Sequence, residues 1–249
     1  MNDFGLVLGG GGSRGAYQIG AIKALVEIGF DFGIVTGTSV GSLNAILLAQ
    51  KRLDVLSVVW NEITYEKVMK HNYKLKNKSL ETMIMGPLKK GMSLEPLEKL
   101  VRKYVDEEQV RNSNIKAGII VTEGIKKYRS YTIDQIPKNL LIDFMMASCS
   151  AWPFLKKKVI DGKKYYDGGY TDVLPVKLAL EMGASKIIAI SLMGGFRQKV
   201  DHEHVYIIKP KKNKYFFLNF DKIAINEMIS LGYSDVMEQK DEIKEFLSK

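Results

Sequence analysis

The chain has 249 residues, of which 46% are hydrophobic and 26% are charged, a balance typical of a globular protein with a sizeable core. Its single cysteine, Cys149, excludes both an internal disulfide and a zinc site built from cysteines. The formal net charge of +9 leaves nucleic acid, an anionic membrane surface and acidic substrates open as partners.

The first fifty residues form two successive strand–turn–helix patterns. An apolar strand is predicted over residues 4–8 and a helix over 16–28, followed by a strand over 34–36 and a helix over 40–50. Glycines separate each strand from its helix, and this order is typical of parallel βα units.

The rest of the chain continues the alternation without a repeat or a break in composition. Residues 60–112 are predicted to be helical and basic, with Ser93 as the N-cap of a helix that carries Pro96 in its first turn. Strands are predicted at 117–122, 128–133, 186–192 and 205–208, and helices at 140–147, 175–182 and from Asp221 onward. A single α/β domain over residues 1–249 is the economical interpretation.

The stretch GGGGSRG joins the first predicted strand to the first helix. Gly10, Gly12 and Gly15 satisfy the pattern GxGxxG, and Glu27 or Asp31 lies near the spacing at which a dinucleotide site places an acidic residue. Unshielded backbone N–H groups at a helix N-terminus can equally bind an oxyanion. The motif alone leaves both kinds of site open.

The pentapeptide GTSVG places Ser39 between a predicted strand and a predicted helix. Gly37 and Gly41 allow a sharp turn that exposes the serine Oγ, and the N–H of Val40 points toward developing negative charge. A glycine-rich turn with Ser39 as a helix cap is the alternative. The flanking strand and helix favour a nucleophile.

A third stretch, YYDGGYTD, contains Asp167 followed by Gly168 and Gly169. The two glycines permit a tight turn that would fix the carboxylate. Taken alone, the stretch is explained as well by an ordinary Asp-Gly hairpin turn.

In their order and spacing, these three motifs resemble those of the patatin-like phospholipase family. The segments MMASCSAWPF, LPVKLALEMGASKIIAI and NEMISLGYSD also resemble parts of that family, so the resemblance extends over most of the chain. It implies a three-layer α/β/α fold with a mainly parallel central sheet. It also implies a lipid acyl hydrolase, of phospholipase A or esterase type, that needs no cofactor and no metal.

Carried over residue by residue, the resemblance implies a catalytic dyad with an acyl-serine intermediate. Ser39 would be the nucleophile, Asp167 its base, and Gly10, Gly11 and Gly12 the oxyanion hole. The positions that support these motifs are Arg14, Gly15, Gly37, Gly41, Gly168 and Gly169. We expect Arg14 to order the glycine loop, with direct help to the oxyanion also open.

A carboxylate of ordinary pKa is a weak base for a serine hydroxyl. We expect burial and the adjacent Tyr165 and Tyr166 to raise the pKa of Asp167. The alternative base is a histidine, because Ser39, Asp167 and either His202 or His204 follow the chain order of α/β-hydrolases. The charged stretch around these histidines is more typical of a surface loop.

Two departures from the family pattern lie near Asp167 in the chain. Val173 stands where asparagine is common, and the segment after Pro153 lacks the second proline often seen there. Both departures bear on substrate preference more than on the chemistry.

The expected partner is a phospholipid or another acyl-ester lipid, and no nucleic acid is expected. Three lysine clusters could contact an anionic membrane: Lys67, Lys70, Lys74, Lys76 and Lys78; Lys156, Lys157, Lys158, Lys163 and Lys164; Lys209, Lys211, Lys212 and Lys214. Residues 65–92 could form a flap over the site, a membrane-contacting surface or a packed amphipathic helix.

Because neither a signal peptide nor a spanning segment is recognised, the predicted location is the cytoplasm, with peripheral membrane contact open. The alternative functions are a catalytically silent lipid-binding protein of the same fold and a dinucleotide-binding enzyme.

Overall fold

The computed structural model describes residues 3–51, 53–70, 91–193, 203–211 and 215–248. The strands are β1 (Gly5–Leu8), β2 (Ile34–Thr38), β3 (Lys116–Glu123), β4 (Lys127–Thr132), β5 (Lys158–Ile160), β6 (Lys163–Asp167), β7 (Ile187–Ile190) and β8 (Val205–Ile208). The helices are α1 (Gly15–Glu27), α2 (Val40–Ala49), α3 (Leu53–Glu62), α4 (Tyr65–Val68), α5 (Glu95–Tyr104), α6 (Glu107–Arg111), α7 (Leu141–Ser148), α8 (Val176–Glu181), α9 (Lys222–Glu238) and α10 (Lys240–Ser248).

These strands form one sheet in the order β5-β6-β3-β2-β1-β7-β8, and β4 also pairs with β3. Strands β3, β2, β1, β7 and β8 run parallel to one another. The pairs of β3 with β4 and β6, and of β5 with β6, are antiparallel. The sheet is therefore mainly parallel, as the resemblance implies.

One edge of β3 is shared by two strands that meet end to end. Because β4 pairs with Gly118–Glu123 along one edge, β2 and β6 must both use the other edge. There Thr38 at the end of β2 is in register with Ile120, and Asp167 at the end of β6 is in register with Val121, the next residue of β3. The register alone thus brings Asp167 beside the residue that follows β2.

The two faces of the sheet carry different amounts of core. Along β1, Leu6 and Leu8 belong to a large cluster with side chains of α1, α2 and α9. Val7 points to the other face, where a smaller cluster is covered by α8. The alternation follows the period-2 geometry of a strand and gives the three-layer α/β/α fold.

Most predicted elements are present with ends shifted by a few residues, but several details differ. Leu94, not Ser93, is the N-cap of α5, although the Ser93 hydroxyl still accepts a hydrogen bond from the N–H of Glu95 at 3.2 Å. The predicted C-terminal helix is two helices, α9 and α10. Strands β5 and β6 were not predicted, and residues 71–90 of the predicted flap lie outside the described residues.

None of the helices in the described ranges combines the length and the apolar character that crossing a bilayer requires.

Candidate active site

Ser39 occupies a strained turn between β2 and α2. Its φ of 55° and ψ of −128° lie in a region that residues other than glycine rarely adopt and that costs on the order of 1–3 kcal/mol. Close packing requires a glycine two residues later, because a Cβ on Gly41 would lie 2.0 Å from the carbonyl oxygen of Leu8. Gly37, on the strand side of the turn, is equally restricted, because a Cβ there would lie 2.1 Å from the carbonyl oxygen of Gly41. The serine is thereby held at the N-terminus of α2, where the helix dipole favours negative charge.

The Ser39 hydroxyl is hydrogen-bonded to Asp167. Its Oγ donates to Asp167 Oδ2 at 2.7 Å, and the N–H of Gly169 donates to Asp167 Oδ1 at 2.8 Å. Gly168, between these two residues, packs against the Ile120 carbonyl. The structure therefore brings together the two side chains that the sequence singled out.

Burial changes the acid–base character of Asp167. The residue is 6% exposed, and loss of hydration raises the pKa of its carboxyl group to about 6, although the hydrogen bonds from Ser39 and Gly169 act to lower it. Of the two preceding tyrosines, Tyr165 packs against the Phe144 ring, with centroids 5.5 Å apart.

Ser148 holds the strained turn and was not assigned a role from the sequence. The backbone N–H of Ser39 donates to Ser148 Oγ at 2.9 Å, and Ser148 Oγ donates to the carbonyl of Ile120 at 2.7 Å. One hydroxyl thus ties the turn to β3. Its place in MMASCSAWPF was the only sequence signal that could have pointed to it.

The glycine loop offers fewer free donors than predicted. The N–H of Gly10 is already bonded to the carbonyl of Val173 at 2.9 Å, so this N–H is not available to a ligand as the sequence led us to expect. Within the described part of the chain, the N–H groups of Gly11 and Gly12 have no hydrogen-bond partner. At Val173, where the family commonly has asparagine, the contact uses the backbone carbonyl. Any residue at this position could make it.

Arg14 connects the glycine loop to a distant segment. Its Nε donates to the carbonyl of Tyr215 at 2.9 Å, and the N–H of Ser13 donates to the carbonyl of Phe217 at 2.7 Å. Burial lowers the pKa of the guanidinium. These contacts join the glycine loop to Tyr215 and Phe217, and the ordering role of Arg14 stays a prediction. Gly15, the first residue of α1, packs against Val40 and Trp60.

An apolar cavity of ≈ 290 Å³ opens beside Ser39 and Asp167. The glycine loop and Arg14 also line it. Its hydrocarbon walls are formed by Val40, Leu43, Trp60, Ile63, Val68, Leu94, Leu97, Phe154, Leu155, Val173, Met193, Phe217, Leu218 and Phe220. Such walls suit an alkyl chain and disfavour a charged ligand.

His204, the histidine among the described residues, lies where the parallel strands begin, whereas Ser39 lies where they end. The carbonyl of His204 accepts from the N–H of Ile187 at the start of β7, and Ile187 aligns through Gly5 with Ile34, the first residue of β2. Ser39 follows the last residue of β2, about 13 Å further along the strand direction. His71 and His202 lie outside the described residues.

The acidic residues proposed for a dinucleotide are also misplaced. Asp31 precedes β2, at the opposite edge of the sheet from the glycine loop that follows β1. Glu27 is the last residue of α1 and accepts a hydrogen bond from Tyr233 Oη at 2.7 Å. A dinucleotide site places its acidic residue near the phosphate loop, and neither residue meets that requirement.

Comparisons with known proteins point to one family. A family model described as patatin-like phospholipase matches residues 6–180. The chain is 28% identical over 204 residues to patatin-like phospholipase domain-containing protein 7 of Rattus norvegicus, 27% over 193 to neuropathy target esterase sws of Drosophila melanogaster and 27% over 188 to lysophospholipase NTE1 of Mycosarcoma maydis.

These alignments cover 80%, 77% and 76% of this chain but 14%, 13% and 10% of the respective relatives. The chain therefore spans about one seventh or less of the length of these curated relatives. Among solved structures, VipD from Legionella pneumophila has a TM-score of 0.53 at 15% identity, over 97% of this chain and 67% of that chain. At that identity the likeness concerns the fold alone.

Proposed function

Since this chain belongs to the patatin-like phospholipase family, we propose that it hydrolyses acyl esters of lipids with Ser39 as nucleophile and Asp167 as base. The observation that carries the proposal is the 2.7 Å hydrogen bond from Ser39 Oγ to Asp167 Oδ2, located at the wall of an apolar cavity. The relatives are named as phospholipases and lysophospholipases. A phospholipid or lysophospholipid is accordingly the proposed substrate.

The first half of the reaction forms an acyl-serine. Ser39 Oγ attacks the ester carbonyl carbon as its proton passes to Asp167 Oδ2. The N–H groups of Gly11, Gly12 and Val40 stabilise the oxyanion, and loss of a single such donor costs on the order of 10²-fold or more in kcat. The bond to the alkoxy oxygen then breaks, and the alcohol leaves with the proton held by Asp167.

The second half releases the fatty acid. A water molecule gives a proton to Asp167 and attacks the acyl carbonyl carbon, and collapse of this intermediate returns the proton to Ser39 Oγ. The raised pKa of Asp167, about 6, makes it a better proton acceptor than an ordinary carboxylate.

Labelling and turnover test the two assignments together. We expect Ser39→Ala to abolish reaction with a fluorophosphonate probe, and both Ser39→Ala and Asp167→Asn to lower p-nitrophenyl ester and lysophospholipid hydrolysis by at least about 10³-fold. Ser57→Ala is the matched control, because the Ser57 hydroxyl lies inside α3 and donates to the Leu53 carbonyl one turn earlier in the same helix, at 3.3 Å. It should label and turn over as wild type does.

Two other outcomes would contradict the proposal. Loss of turnover in a folded His204→Ala variant would assign the proton to imidazole. A wild-type protein that binds lipid but neither labels nor hydrolyses any of these esters would be the silent lipid-binding protein.

We extend the proposal to contact between the cavity mouth and an anionic membrane from the cytoplasmic side. Tyr170 and Met193 line the cavity yet are 53% and 45% exposed. Tyr170 Oη donates to the Trp152 carbonyl, and Lys157 Nζ lies 5.9 Å from the centroid of the Trp152 ring. Exposed apolar side chains beside lysines suit a lipid surface.

Not every lysine of the predicted clusters is available for such contact. Lys158 is bonded to Glu98 at 2.9 Å and to Asp143 at 2.8 Å, and Lys67 is bonded to Glu62 at 2.7 Å. Lys74, Lys76, Lys78, Lys212 and Lys214 lie outside the described residues. Among the described lysines of the clusters, Lys156 and Lys157 directly follow Phe154 and Leu155, which line the cavity, and the proposal rests on these two.

A further inference from the structure

A row of buried hydrogen bonds leads from the cavity wall to the glycine loop. Trp60 Nε1 donates to Asn44 Oδ1 at 2.8 Å, and Asn44 Nδ2 donates to Gln18 Oε1 at 2.8 Å. Gln18 Nε2 then donates to the carbonyl oxygen of Gly9 at 2.8 Å. All three side chains are 0% exposed, so no bulk water competes for these groups.

The two ends of the row fix the direction of every bond in it. An indole N–H can only donate and a backbone carbonyl can only accept. Asn44 must therefore turn its Oδ1 to Trp60, and Gln18 must turn its Nε2 to Gly9. A flip of either amide would set donor against donor or acceptor against acceptor in a buried site, where an unmet polar group costs about 1–3 kcal/mol.

The group held by Gln18 lies immediately before the free donors of the loop. The peptide between Gly9 and Gly10 is fixed at both ends, its carbonyl by Gln18 and its N–H by the carbonyl of Val173 at 2.9 Å. The next two peptide groups carry the N–H groups of Gly11 and Gly12. Because a peptide group is planar, fixing one in a run of glycines limits how those that follow can rotate.

We infer that Gln18, oriented by Asn44 and Trp60, is a positioning residue that sets the direction of the oxyanion donors of the glycine loop. The inference deepens the proposed function and rests on it for its kinetic consequences. Its structural consequence, an ordered loop, can be measured without any activity.

The test replaces Gln18 with methionine, which keeps its length and removes its hydrogen bonds. The matched control is Gln50→Met. Gln50 is also buried, but it lies at the C-terminal end of α2 and its Oε1 accepts from the N–H of Asp106. Gln18→Leu is a second apolar variant that also removes both hydrogen bonds of the side chain and adds no group that could donate to Gly9. It covers the case in which Gln18→Met does not fold.

Three quantities are measured: amide hydrogen exchange across residues 9–14, fluorophosphonate titration of active sites, and ester hydrolysis per titrated site. In Gln18→Met and Gln18→Leu we expect exchange at Gly10 and Arg14 to rise at least about tenfold, with the rest of the sheet unchanged. We expect kcat per titrated site to fall about 10- to 100-fold with KM within about twofold of wild type. Gln50→Met should match wild type in all three.

Unchanged exchange of the loop in a folded Gln18 variant would overturn the inference, whatever the activity. A fall in titratable sites with an unchanged kcat per site would also overturn it, because that pattern indicates a purely structural residue. Faster loop exchange in a protein whose wild type has no hydrolase activity would uphold the loop ordering and refute the proposed function instead.

Discussion

At the residue scale, Asp167 is a buried carboxyl group held by two neutral donors, the Ser39 hydroxyl and the Gly169 N–H. Burial disfavours its charged form, and this is the cause that raises its pKa to about 6. The group therefore changes protonation close to neutrality, where an ordinary aspartate would already be fully ionised.

The pH dependence of kcat/KM should report this pKa. Only the ionised form of Asp167 can accept the Ser39 proton, so kcat/KM should fall as the pH drops below about 6 and level off above it. The loss should be about tenfold for each pH unit below the pKa. A neutral ester substrate makes the free enzyme the only titrating species in this profile.

A histidine base would titrate in nearly the same range, so the profile needs a second condition. Adding a water-miscible organic solvent disfavours charge, which raises the pKa of a carboxyl group and lowers that of an imidazolium. We expect the inflection to move to higher pH. A move to lower pH would contradict Asp167 as the base.

The two residues most visible in the sequence were Ser39 and Asp167, because each lies in a distinctive short motif. Gln18 and Ser148 were not assigned roles, since each acts through hydrogen bonds to residues distant in the chain. Gln18 accepts from Asn44, 26 positions away, and Ser148 donates to Ile120, 28 positions away. A single sequence carries no signal for such pairs.

At the scale of elements, the site depends on β6 reaching the edge of β3 where β2 ends. This strand escaped prediction because its sequence KKYYD begins with two exposed lysines and pairs with only three residues of β3. The parallel strands were easier to predict, since each contains consecutive apolar residues. Tertiary pairing, rather than local pattern, defines β6.

Helices α1 and α9 cross at unusually short range, and this crossing positions the glycine loop that precedes α1. A Cβ on Gly232 would lie 2.0 Å from the carbonyl oxygen of Tyr17. The contact continues through the buried hydrogen bond from Tyr17 Oη to Asp235 Oδ2 at 2.9 Å. Any side chain at position 232 must therefore push the two helices apart.

We expect Gly232→Ala to lower the free energy of unfolding by about 1–3 kcal/mol through overpacking, despite the better helix propensity of alanine. Urea unfolding measures this change. Ser234→Ala, on the exposed side of the same helix, should stay within about 0.5 kcal/mol of wild type. Equal stability of the Gly232 variant would show that the crossing tolerates separation.

At the scale of the whole molecule, the candidate site lies at one edge of the parallel sheet. Ser39 follows the carboxyl end of β2 and the glycine loop follows that of β1, which is where open α/β sheets bind ligands. Lys156 and Lys157 follow Phe154 and Leu155, which line the cavity. At the opposite edge, α10 contacts the start of β7 through Lys186 Nζ and the Phe246 carbonyl.

Two lysine pairs of equal charge can therefore be compared. Lys156 and Lys157 adjoin the cavity mouth, whereas Lys240 and Lys244 lie on α10. A lysine near an anionic bilayer contributes about 1 kcal/mol, so Lys156→Gln/Lys157→Gln should weaken binding to phosphatidylglycerol-containing vesicles by about 30-fold. Lys240→Gln/Lys244→Gln, on α10, changes net charge equally and should leave binding near the wild-type value. Vesicle sedimentation at low and high salt measures both, and the difference should vanish at high salt because the attraction is screened. Equal losses in the two double variants would mean that net charge, rather than the lysines beside the cavity, governs membrane contact.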